Sequence, residues 1–97
     1  MSDVFIEVAK RLQFSLPISL GHQLVDTGRK TYSINDPDLP PLLMLAVLEK
    51  MGWGIDYYPK TAAPGWWFGS MEFEAQGPFA FSDLPEAVCK AFVEAEE

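Results

Sequence analysis

The sequence predicts an α+β domain: a small α/β/α sandwich in which a three-stranded antiparallel β-meander is flanked by helices, in the order α, irregular segment, α, β, β, β, α. Three observations predict it. Apolar residues recur at helical spacing near the start, middle and end of the chain. Between the last two such stretches lie three consecutive runs rich in aromatic residues, joined by short turn-like links. One of those runs places Trp66, Trp67 and Phe68 side by side. Neighbouring strand residues point to opposite faces, so three consecutive large aromatics load both faces of a sheet, and helices on two sides are expected to cover them.

The first helix is expected over residues 3–13, where Phe5, Val8, Ala9 and Leu12 form one stripe and Ser2 or Asp3 supplies the cap. Residues 14–38 are expected to be irregular. Leu16, Ile18 and Leu20 alternate as in a short strand or extended loop, Asp26-Thr27-Gly28 and Asn35-Asp36-Pro37 carry turn chemistry, and Lys30 to Ile34 has room to be extended. A second helix starts near Pro40 or Pro41 with Asp38 as N-cap, is apolar nearly all round until Glu49, and stops at Gly52. The first strand is expected at Trp53 to Tyr58. The second is expected at Trp66 to Glu74, with Trp66, Phe68, Ser70, Glu72 and Glu74 on one face. The third is Phe79 to Phe81, after a tight turn at Gln76-Gly77. Asp83-Leu84-Pro85-Glu86 opens the last helix, whose stripe is Leu84, Val88, Ala91, Phe92 and Ala95. The whole chain, 1–97, is expected to be one domain, because about a hundred residues build one core.

Composition narrows the functional classes. With 48% hydrophobic and 22% charged residues the chain is globular rather than disordered. Its net charge is −7, concentrated in residues 49–97, where nine acids face three bases. That field opposes phosphate backbones, so direct nucleic-acid binding is not expected. The element order also occurs in double-stranded-RNA-binding domains. Those need a basic last helix, and this one sets Lys90 against Glu86, Glu94, Glu96 and Glu97. The single cysteine, Cys89, excludes an internal disulfide and fits a reducing, cytoplasmic setting. The N-terminus lacks the pattern of a signal peptide, and the longest apolar run, Leu39 to Leu48, is too short to span a bilayer.

Chemistry-bearing groups are sparse. His22 is the lone histidine, and neither a Cys/His nucleophile pair nor a metal site is expected. No cofactor and no catalytic residue are expected. The candidates are interaction residues: the acids Asp56, Glu72 and Glu74, as one strip along the sheet, and the aromatics Tyr58, Trp66 and Phe68, either covered by the N-terminal helix or open as a patch. Aromatics rimmed by acids suit a basic protein partner.

One resemblance adds to this. Tyr32-Ser33-Ile34-Asn35, the LEKMGWGI helix end, the GWWF strand and the closing Phe81-Ser82-Asp83-Leu84-Pro85-Glu86-Ala87-Val88-Cys89-Lys90-Ala91 resemble the phage ABA-sandwich domain family over about residues 31–95. Asn35 stands where that family usually has an acid, and residues 1–30 lie outside the likeness. The resemblance implies an α/β/α sandwich and a phage or prophage origin, and it brings no activity and no catalytic residues. The expected function is then a non-catalytic accessory protein, acting in the host cytoplasm on a host protein with a basic surface, with inhibition of a host defence complex as its concrete form. A binder of a nucleobase-like small molecule and a self-assembling structural phage protein, for instance a homodimer, are the alternatives.

Overall fold

The computed structural model describes residues 4–60 and 62–96. In chain order they form helix α1 (Val4–Arg11), strands β1 (Ile18–Ser19), β2 (His22–Asp26) and β3 (Thr31–Ser33), and helix α2 (Leu39–Met51). Strands β4 (Gly54–Tyr58), β5 (Gly65–Gly69) and β6 (Gln76–Phe79) follow, then a 3₁₀ turn (Phe81–Asp83) and helix α3 (Leu84–Glu96). The fold is α+β. Its two antiparallel sheets, ordered β1-β2-β3 and β4-β5-β6, stand beside three helices that pack on one another.

Helix α1 buries Phe5, Val8 and Ala9, the expected stripe, while Arg11 pairs with Glu7 at 3.1 Å on the outer side. The proposed caps Ser2 and Asp3 lie outside the described residues. The segment expected to be irregular holds the first sheet. Leu20 and Gly21 connect β1 to β2, both at positive φ (51° and 79°), with Ser19 and His22 paired on either side. Positive φ at both central residues is what a type I′ hairpin demands, and leucine there is not a turn signal that a sequence displays. The side-chain amide of Gln23 donates to the carbonyls of Leu16 and Pro17 at 3.0 and 3.1 Å, tying the hairpin to the incoming chain. The turn at Asp26-Thr27-Gly28 forms as expected, with the Gly28 N–H donating to the Asp26 carboxylate at 2.9 Å. Only Val25 of this sheet is fully buried.

Helix α2 starts one residue before the first proline. Asp38 holds the cap position but makes no capping bond. Instead the Asp36 carboxylate accepts from the Asp38 N–H at 2.9 Å, tightening the preceding turn. Gly52, at φ 70°, ends the helix in the left-handed conformation. Leu39, Leu43, Met44, Val47 and Leu48 enter the core, and Leu45 is left exposed. In α3 the buried set is Leu84, Pro85, Val88, Cys89 and Phe92. Ala91 is half-buried and Ala95 exposed, so the stripe is rotated toward Cys89 relative to expectation.

The second sheet is the expected meander with different limits. β5 stops at Gly69 rather than Glu74. Ser70 ends it: its hydroxyl accepts from the N–H groups of Glu72 and Phe73, and its own N–H donates to the Phe73 carbonyl at 3.1 Å. Gln76-Gly77, expected as the turn, lies inside β6. Phe81 belongs to the 3₁₀ turn, not to a strand.

Phe68 is 2% exposed and lies in the common core with the buried residues of α2 and α3. Trp53 stacks on Phe73 at 4.3 Å between ring centres, and Phe68 meets Trp53 and Phe79, each at 5.8 Å. This inner face shares its core with residues of α1, α2 and α3, so the expected helical cover on both faces is met on one face only. The outer face, which carries Asp56, Tyr58 and Trp67, opens into a hollow lined by strand and loop residues alone.

Candidate functional site

Register explains the outer face. Asp56 pairs with Trp67 directly across the β4–β5 ladder, and Tyr58 lies two residues further along the same side. Directly opposed residues have Cβ atoms roughly 5 Å apart, so both side chains leave the sheet on the same face. Gly54 pairs with Gly69 next in that row; the space over Gly54 is open, while the Ala75 backbone lies against Gly69. The loops on either side add Ala62, Ala63, Ser70 and Met71, and border an open hollow of about 780 Å³. Met71 is wholly exposed. The Trp67 indole lies close against Gly77, where an added Cβ would stand 2.6 Å from its Cδ2.

The hollow has one acidic side chain among the described residues, Asp56. The Asp56 carboxylate accepts the N–H of Tyr57 at 2.8 Å, and among the described residues it has no ion-pair partner. Among the described residues, no lysine, arginine or histidine lines the hollow. The Ser70 and Tyr58 hydroxyls supply the remaining polar character.

The structure separates residues that the sequence reading had grouped. Tyr58 was expected with Trp66 and Phe68, but it lies on the opposite face of the sheet. Phe68, expected as an interaction residue, is 2% exposed and belongs to the core. Trp66 is half-buried at an inner rim, between Tyr57 (5.2 Å) and Phe81 (5.5 Å). Glu72 and Glu74 are exposed in the β5–β6 loop rather than on a strand face. They do not line the hollow with Asp56, so the expected acidic strip is not formed. Trp67 and Met71 are the residues that the sequence reading missed as candidates. Strict alternation already placed Trp67 opposite Trp66; the pairing that sets Asp56 beside it was not visible.

The other candidates for chemistry are far apart in environment. His22 is exposed at the start of β2, while Cys89 is fully buried in α3. Burial, helped by the charge of Glu86, pushes the Cys89 thiol up from its ordinary 9.0 to about 12. The native thiol is therefore protonated at neutral pH and shielded, and a thiol reagent at pH 8 is expected to label it only after unfolding. The unfolded thiol ionises near pH 9 while the native one resists until about 12, so the native state binds more protons across that window. Its contribution to stability is full below pH 9 and is lost as pH rises through it. Urea titrations from pH 8 to 11 should show this decline in the wild type and a shallower one in Cys89→Ala. A decline of equal steepness in both would contradict the assignment.

Among the described residues, no group of three or more His, Cys, Asp or Glu side chains is placed to hold a metal ion, and no helix is long and apolar enough to cross a membrane. Scans against protein-family models, curated proteins and solved structures each returned no match for this chain.

Proposed function

We propose that the chain is a non-catalytic binding protein that docks a host protein with a basic surface onto the outer face of its second sheet. One observation carries this reading: a concave, largely apolar surface, with Trp67 and a wholly exposed Met71, beside an unpaired carboxylate. Exposed apolar patches of this kind mark interaction sites, and tryptophan, tyrosine and methionine are enriched in them. The net charge of −7 steers basic partners toward the molecule. Action as a phage or prophage accessory protein in the host cytoplasm, with a defence complex as the target, rests on the sequence resemblance alone.

The test is capture from a bacterial host lysate on immobilised protein, read by mass spectrometry. Trp67→Ala and Asp56→Lys are expected to lose the specific partner, with a loss on the order of 30-fold in affinity for a hot-spot tryptophan. The double variant Glu72→Lys, Glu74→Lys should keep it. Retention by Trp67→Ala would overturn the reading.

A second reading is favoured by the size of the hollow, since about 780 Å³ falls among small-ligand sites. A nucleobase-like ligand stacked on Trp67 would raise the melting temperature in a nucleotide and metabolite panel, and Trp67→Ala would abolish the rise.

A further inference from the structure

We infer that the hollow recognises an arginine side chain of the partner, with the guanidinium paired to Asp56 and stacked on the rings of Trp67 and Tyr58. This rests on the docking face proposed above and names what that face reads.

The Asp56 carboxylate decides the chemistry. Any occupant that expels water from the hollow also desolvates it. An apolar or neutral occupant would leave an ionised group buried with only the Tyr57 N–H for compensation, which is costly. A cation removes that cost. Among the described residues, no basic side chain lines the hollow to serve instead. The surroundings then select among cations. Trp67, paired with Asp56 across the ladder, and Tyr58, two residues along the same face, place two aromatic side chains on the face that carries the carboxylate. A guanidinium is planar, stacks on aromatic rings and pairs bidentately with a carboxylate, whereas an ammonium is a compact, strongly hydrated point charge. The hollow is larger than one side chain, so the residues flanking the arginine lie against Met71, Ala62 and Ala63.

The test follows the indole N–H signal of Trp67 by nuclear magnetic resonance during titration with three blocked pentapeptides: Ala-Ala-Arg-Ala-Ala, the same peptide with citrulline, and the same peptide with lysine. Citrulline keeps the shape of arginine without its charge. The arginine peptide is expected to shift Trp67 saturably. The citrulline peptide should bind at least about tenfold more weakly, and lysine should fall between them. Asp56→Asn, which keeps an acceptor for the Tyr57 N–H and so the local fold, should weaken the arginine peptide by about the same factor. Equal binding of the arginine and citrulline peptides, or an unchanged affinity in Asp56→Asn, overturns arginine recognition. So does the absence of any Trp67 shift. If host-protein capture is still lost in Trp67→Ala under those results, the docking face stands and only the arginine inference falls. If capture survives Trp67→Ala, the docking face itself falls.

Discussion

Replacing Phe68 by alanine is expected to lower the unfolding free energy by about 3–5 kcal/mol. Phe68 is 2% exposed and is the one residue of β5 that is fully committed to the core shared with α2 and α3. Its ring also meets those of Trp53, Phe79 and Phe73, at 5.8, 5.8 and 6.2 Å between centres. Truncation removes the contact that fastens the second sheet to the helices and leaves a cavity that the paired strands cannot close without losing register. Small domains hold about 5–15 kcal/mol in total, so the variant should be largely unfolded in modest urea. Trp66→Ala is the contrast: Trp66 is half-buried at the rim, and its loss should cost clearly less. Urea unfolding of both variants, followed by circular dichroism, checks this. Equal costs would contradict the assignment of Phe68, rather than Trp66, to the core.

Gly77→Ala carries the second large effect. Gly77 has φ 153°, which residues with a side chain rarely adopt, and an added Cβ would lie 2.6 Å from Trp67 Cδ2 and 2.8 Å from the Trp66 carbonyl. One obstacle is backbone and the other is the inner part of an indole ring, so neither yields easily. Overpacking of this kind costs about 1–3 kcal/mol, and the unfavourable φ adds a comparable amount. The effect reaches the site as well, because Gly77 is the surface on which Trp67 rests. The variant should show both a lower urea midpoint and a displaced Trp67 indole signal. A normal midpoint with an unmoved indole would contradict the packing described.

The fold was legible in the sequence wherever periodicity was long. The α1 stripe gives Phe5, Val8 and Ala9, and the α3 stripe gives Leu84, Val88 and Phe92 but misses Pro85 and Cys89; alternation within β5 separates Phe68 from Trp67 without saying which of the two faces inward. What failed was information held between strands. Whether Tyr58 sits with Trp66 or with Trp67 depends on pairing register, and a one-residue slip moves every side chain to the other face. The same ambiguity hid the juxtaposition of Asp56 and Trp67. Glu72 and Glu74 looked strand-like because Met71 and Phe73 alternate with them, yet the hydroxyl of Ser70 captures two backbone N–H groups and turns the chain. The first sheet escaped notice because its strands are short and its hairpin turns at Leu20, which has no glycine-like or asparagine-like signature. The α+β class survives these errors because it depends on the helices and the meander, not on their limits. The site does not, because it is made of cross-strand neighbours and two loops.

The three tryptophans offer the most direct test of the binding face. Trp53 lies in the core, Trp66 at the inner rim and Trp67 on the outer face. Each gives one indole N–H signal, assigned by single substitution to phenylalanine. On addition of the captured host protein, the Trp67 signal should shift or broaden while those of Trp53 and Trp66 stay in place. Movement of Trp66 with an unchanged Trp67 would put the interface on the Tyr57-Trp66-Phe81 rim and contradict the outer-face account.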